Sequence, residues 1–238
     1  ATILIVEDDE NVLLIRDVIA NNDKFALARK TEAEAVILKS RFLLERVVKN
    51  QDLNIQIFSL TGLTELKSIE AYKDPAFVIY QVDQADSLLY SEQLEFIIHP
   101  VSQTSFELTT GGKRPVILNM HDAFTVGKVR LQLRPNANYK KHWINYKYKV
   151  VITPVDQVVT KLQQTISIND EKLDIGVLII SLNGPTPEKN DDIIDGLVEE
   201  YLDNSIFEKN KVARSTNEFI NERILLIEKE LSMIESNG

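Results

Sequence analysis

The sequence has no cysteine. That excludes a disulfide framework, a thiolate metal site and a cysteine nucleophile. Glycine and proline are scarce, 8 and 7 among 238 residues, which argues against a disordered or low-complexity chain. No internal repeat is present. Positive charge is in deficit: 27 Lys and Arg face 36 Asp and Glu, a formal net charge of -9. A field of that sign repels nucleic acid and anionic lipid, so no nucleic-acid partner is expected. The longest apolar runs, such as Gly176 to Leu182, fall far short of the ~20 residues that cross a bilayer. No signal peptide is visible, and the first residue is Ala1 rather than Met. The chain reads as a processed or excised piece whose membrane anchor would lie outside it. Nucleophile-elbow, zinc-protease, dinucleotide and phosphate-loop motifs are all missing.

What remains is a chain with 44% hydrophobic residues, enough to bury a core in one large domain or two modest ones. Thr2 to Val6 is β-branched and reads as a strand, followed by helical spacing over Glu10 to Ala20. Thr31-Glu32-Ala33-Glu34 is a capping box, predicting one helix from Thr31 to about Asn50. Strand patterns follow at Asn54 to Ser59, Ala76 to Val82, Leu94 to Ile98, Phe106 to Leu108, Pro115 to Asn119, Val129 to Leu133 and Tyr146 to Ile152. Gly111-Gly112 predicts a hairpin turn. Pro154 opens a helix to about Gln164. Leu173 to Leu182 is almost wholly apolar, as in a strand covered on both faces.

Gly184-Pro185-Thr186-Pro187 breaks the chain, and Gly196 is the one glycine from Glu188 to Glu235. A continuous helix over that span reaches roughly 70 Å, more than an ordinary domain holds. Glu188, Asp191, Asp192 and Asp195 suit its N-terminal turns. Ile220, Ile224, Ile227, Leu231 and Ile234 recur in steps of four and three, a coiled-coil-like seam that needs a partner. The partner is another subunit or this chain's own helices.

Four segments, in order, resemble the chain-length determinant (Wzz-like) family of polysaccharide co-polymerases, in its larger tyrosine autokinase (Wzc-like) type. They are Ile3 to Asp9; Thr31 to Arg41 continuing through Val47-Val48-Lys49-Asn50 and Leu53-Asn54-Ile55; Tyr72-Lys73-Asp74-Pro75; and Val177 to Lys189 with Leu197 to Tyr201 and Lys209 to Thr216. The resemblance implies an α/β fold. A mixed-sheet base is formed by residues 1–93 and 153–185, with an inserted antiparallel β unit at 94–152 and a long projecting helix at 186–238. It implies an extracytoplasmic domain between two membrane helices of a bacterial inner-membrane protein, non-catalytic and without cofactor or metal. Such domains assemble into rings that work with a polymerase or export channel and so influence the length or export of surface polysaccharide. A cytoplasmic kinase of the parent would need a phosphate-binding loop, which this chain lacks.

Other readings compete. Ile3 to Glu10 followed by an amphipathic helix is receiver-like, with Asp8 and Asp9 as Mg²⁺ ligands, Asp52 as phosphoacceptor and Lys113-Arg114-Pro115 as the lysine element. Asp52, however, precedes its strand instead of ending one. His99, His121 and His142 are scattered. Tyr139 to Lys149 is the most basic and aromatic stretch. Trp143, Tyr146, Lys147 and Lys149 are candidate polysaccharide contacts, as in a carbohydrate-binding module, or part of an edge strand whose lysines block sheet-to-sheet pairing.

Overall fold

The computed structural model describes residues 2–6, 32–61, 67–82, 92–137, 140–172 and 177–236. The expected helix over Glu10 to Ala20, together with Asp8 and Asp9, lies outside them. The chain forms two compact units, Ala1–Leu197 and Val198–Gly238.

The fold is α/β in content, and every strand pairing among the described residues is antiparallel. That corrects the expected mixed sheet. A six-stranded sheet runs β3 (Lys67–Glu70), β2 (Ile55–Thr61), β10 (Lys147–Ile152), β5 (Leu94–Pro100), β6 (Ser105–Thr110), β7 (Val116–Asn119). A three-stranded sheet has the order β4 (Phe77–Gln81), β9 (Val129–Pro135), β8 (Ala123–Val126). Strands from 55–81 therefore pair with strands from 94–152, and the latter do not make a sheet of their own. β10 lies inside the larger sheet, between β2 and β5, so the edge-strand reading of its lysines does not hold. Lys149 instead pairs with Glu95 on the neighbouring strand at 2.7 Å.

Strict alternation builds the main core. β9 buries Val129, Leu131 and Leu133, while β10 buries Tyr148, Val150 and Ile152. These meet Phe77, Phe96, Phe106 and Phe124 in one cluster. Phe124 packs edge-on against Phe106, with ring centroids 5.5 Å apart, and Phe77 against Tyr148 at 5.4 Å. The β6–β7 turn is where glycine is required: Gly111 and Gly112 sit at φ +51° and +73°, a region that costs other residues steric energy.

A second sheet of three strands, β1 (Thr2–Val6), β12 (Val177–Leu182), β11 (Ile166–Lys172), has β12 in its centre, as the apolar run predicts. Leu178, Ile180 and Leu182 are buried. The helix expected from Thr31 to Asn50 is two: α1 over residues 32–38 and α2 (Arg41–Asn50). The chain breaks at Ser40, which takes extended dihedrals and accepts the backbone N–H of Leu43 at 3.3 Å on its hydroxyl. An N-cap in that geometry restarts the helix. Thr31 of the capping box is outside the described residues. α2 packs on α3 (Val155–Thr165), which begins right after Pro154 as expected. α4 spans Pro187–Ser236, 50 residues without interruption.

Candidate functional site

Two features stand out: a polar cleft in the first unit and an apolar stripe in the second. The cleft lies at the open end of β2 and β3. Its walls include Gln51, Asp52, Ile57, Glu70, Tyr72, Phe77 and Lys189, and its volume is about 140 Å³. Typical small-molecule pockets hold roughly 300–1,000 Å³. Most of its polar groups are, moreover, occupied by each other, whereas Gln51 Oε1 is buried with no hydrogen-bond partner among the described residues. Glu70 and Lys189 form an ion pair with side chains only 11% and 13% exposed. Glu70 also accepts from the Gln56 amide at 3.2 Å and the Thr186 hydroxyl at 3.3 Å. The Lys189 ammonium lies 5.6 Å from the centre of the Tyr72 ring. Burial raises the Tyr72 phenol above its usual range, reinforced by its hydrogen bond to Asp192 and the negative charge of Asp192 and Glu70. Lys73 faces Asp192 at 3.7 Å, and the Gln51 amide donates to the Asp192 carbonyl at 2.7 Å.

This is a junction. A lysine in the first turns of a helix opposes the helix dipole; Glu70 offsets that cost and fastens the start of α4 to the sheet. Gly196 belongs to the same joint: a Cβ there would lie 2.2 Å from Gln51 Nε2 and 3.6 Å from Val47 Cγ1. Gly196 thus lets α4 lie close against Gln51 and α2. Two of the segments singled out in the sequence, Tyr72 to Pro75 and the one ending at Lys189, meet in this cleft.

No protein-family model matches the chain. Over 114 residues it is 26% identical to "Putative tyrosine-protein kinase in cps region" of Klebsiella pneumoniae, a stretch covering 48% of this chain and 14% of that protein. The chain thus spans a small fraction of the relative's length. It is similar to part of a protein of a cps region that is named for tyrosine kinase activity.

In the second unit, Ile220, Ile224 and Ile227 are 47%, 47% and 62% exposed. Phe207, Val212, Phe219, Leu225 and Leu226 on the same helix are exposed as well. The side chains of Leu231 and Ile234 lie outside the described residues.

The other candidates are scattered. Trp143 is 7% exposed and belongs to the main core, which removes its ring face as a platform for a sugar. Tyr146 and Lys147 are exposed, and Lys149 is half-buried in its pair with Glu95. His99 bridges Glu107, at 3.4 Å, and the Ile144 carbonyl, at 3.1 Å. His121 sits in a turn at φ +71°, and the His142 side chain is outside the described residues. Among the described residues no three His, Asp or Glu converge as a metal site, and no helix is long and apolar enough to cross a membrane. Asp52 follows α2 at φ +50°, before β2, and desolvation at the cleft wall raises its pKa. It ends no strand, and the described strands show no parallel pairing, so the receiver geometry is not formed by them. Lys113 lies in the turn before β7, donating its backbone N–H to the Thr110 carbonyl.

Sequence reasoning missed the Glu70–Lys189 junction. One signal could have found it: a lysine among Glu188, Asp191 and Asp192 at a helix start, where charge alone favours acids.

Proposed function

We propose that this chain is a non-catalytic scaffold domain of a polysaccharide co-polymerase of the autokinase type, which self-associates through α4. On this reading it sits on the extracytoplasmic side of a bacterial inner membrane. A ring of such domains organises the polymerase or export channel and biases the length or export of capsular or related polysaccharide. The similarity to a kinase of a cps region supports the capsule connection. The order of the four family-like segments supports the placement within such a protein.

The observation that carries the scaffold role is the exposed seam. A helix of 50 residues extends roughly 75 Å. Its apolar side chains at 220, 224 and 227 recur at the spacing by which helices pack on one another. Isoleucines 47–62% exposed in such a row have no stabilising role in a lone helix. A neighbouring subunit's helix would bury them.

The chain is free of cysteine, so a single introduced thiol reports proximity without background. Ile224→Cys is expected to give disulfide-linked dimers under mild oxidation, and Thr125→Cys, on β8, is not. Sedimentation velocity of the chain should show concentration-dependent association that Ile220→Glu with Ile227→Glu abolishes. Equal cross-linking at both positions, with sedimentation unaffected by the glutamates, would refute the seam as the contact.

A further inference from the structure

The outer face of the three-stranded sheet β4-β9-β8 is unlike the rest of this acidic chain. Alternation sends Phe124, Val126, Leu131 and Leu133 into the core and leaves Thr125, Arg130, Gln132, Arg134 and Tyr80 on the other side. Register places Thr125 opposite Arg130 and Gln132 opposite Tyr80. No acid stands among those strand positions. Lys128, in the β8–β9 turn, adds a third cation at one end, and Asp122, held by the Asn119 amide at 2.9 Å, stands before β8.

The two guanidiniums are not consumed internally. Neither Arg130 nor Arg134 forms an ion pair with a described residue, although the chain carries a formal charge of -9. Arg134 is nonetheless held in place. Its Nε donates to Gln132 Oε1 at 3.1 Å, and its guanidinium stacks 4.6 Å from the centre of the Tyr80 ring. The Gln132 amide is itself anchored, donating to the His121 carbonyl. That leaves the two terminal nitrogens of Arg134 directed at no described acceptor. A pre-positioned guanidinium fork is the geometry that receives a carboxylate through two parallel hydrogen bonds. Four residues along a strand separate Arg130 from Arg134 by about 13 Å, so the pair suits an extended ligand with repeated charges better than one small anion. Tyr80, 43% exposed, adds apolar ring surface beside them.

We propose that this sheet face binds an extended acidic polysaccharide through its carboxylates, with Arg130 and Arg134 as the anion contacts, Tyr80 as the ring contact and Gln132 as the positioning residue. The choice of a saccharide rests on the function proposed above; the anionic character rests on the two arginines alone. The face is distinct from the Tyr146 to Lys149 stretch, whose lysine 149 is already paired with Glu95.

Polygalacturonate oligomers supply the probe, titrated against the chain by calorimetry at low and high salt, beside neutral dextran and polyglutamate. Binding of polygalacturonate that weakens with salt is expected, with dextran inert and polyglutamate clearly weaker. Arg130→Gln with Arg134→Gln should weaken binding about tenfold or more. Arg134→Lys should lose most of its share, since a lysine offers no fork. Lys147→Gln with Lys149→Gln should change little. Gln132→Leu should weaken binding less than the double arginine change while Arg130→Gln retains its own effect, marking Gln132 as a positioning residue. Near-ultraviolet circular dichroism from buried Trp143 verifies folding of each variant. Failure to bind polygalacturonate, or equal binding by the double arginine variant, overturns the site, and equal affinity for polyglutamate overturns the saccharide. Self-association through the α4 seam is measured separately. Seam contacts without polygalacturonate binding sink this inference and leave the scaffold standing, whereas binding without seam contacts does the reverse.

Discussion

Replacing Lys189 with methionine tests the junction between α4 and the sheet. Met keeps the apolar stem and removes the charge, stranding a Glu70 carboxylate whose side chain is 11% exposed. Breaking one side of a buried ion pair costs roughly 3–5 kcal/mol. Gln56 and Thr186 still donate to Glu70, and removing a cation from a helix start returns about 0.5 kcal/mol. The expected loss is therefore about 2–3 kcal/mol. At about 2–4 °C per kcal/mol for a unit of this size, the midpoint should fall by roughly 4–12 °C. Glu70→Gln alone should cost about 2 kcal/mol, because Lys189 keeps the Tyr72 ring and a neutral amide oxygen but loses its counter-charge. The double variant removes both charges together and should recover to within about 1 kcal/mol of the parent. Urea unfolding followed by the fluorescence of Trp143, the single tryptophan, reads all four corners of the cycle. A cost below about 1 kcal/mol for Lys189→Met, or a coupling indistinguishable from zero, would refute the claim that this pair fastens the helix.

Tyr72→Phe should destabilise the chain by about 1 kcal/mol near neutral pH by removing the hydrogen bond to Asp192. Because folding raises the Tyr72 pKa above 10.0, the stability it contributes is complete below pH 10 and lost as the unfolded phenol ionises. The difference in melting temperature between parent and variant should accordingly shrink above pH 10, and a constant difference would contradict it. Asp52→Asn should stabilise by a few tenths to about 1 kcal/mol at pH 7, since it removes a desolvated charge and Asn tolerates positive φ. A raised folded pKa means that this charge penalty is relieved on acidification, so the gain should fade toward pH 3; thermal melts at both pH values check it. Gly112→Ala meets no atom within 4 Å, so its cost, about 1–2 kcal/mol, is backbone strain alone at φ +73°. Chemical denaturation measures it, and an unchanged midpoint would remove glycine's role in that turn.

Much of the middle of the fold was legible because one face of each strand is buried. Val129, Leu131 and Leu133 alternate with polar neighbours, and period two has one structural meaning. The Gly111-Gly112 turn was readable for the same local reason. The break at Ser40 was not. Helical spacing continues across it, and only the cap geometry reveals that one helix has become two. The neighbourhood of β10 was misjudged because lysines on a strand suggest an edge, whereas here Lys149 is neutralised by Glu95 on the next strand. The spacing of Ile220, Ile224 and Ile227 was legible in the sequence; their exposure, 47%, 47% and 62%, was not. The stretch around Trp143 was open to a sugar-contact and an edge-strand reading, and Trp143 lies in the core.

Sequence alone determined the local quantities: a chain without disulfides, strands where apolar residues alternate, a stop at Gly184 to Pro187, and a tail with few helix breakers. Each depends on residues close together along the chain, whose steric and hydrophobic preferences are felt before any long-range contact forms. Tertiary structure alone decided which strands pair, that Glu70 would find Lys189 across 119 residues, and that two arginines would face solvent without a carboxylate partner among the described residues. Those outcomes depend on which surfaces are left over once the core is buried, and no single stretch of sequence carries that information.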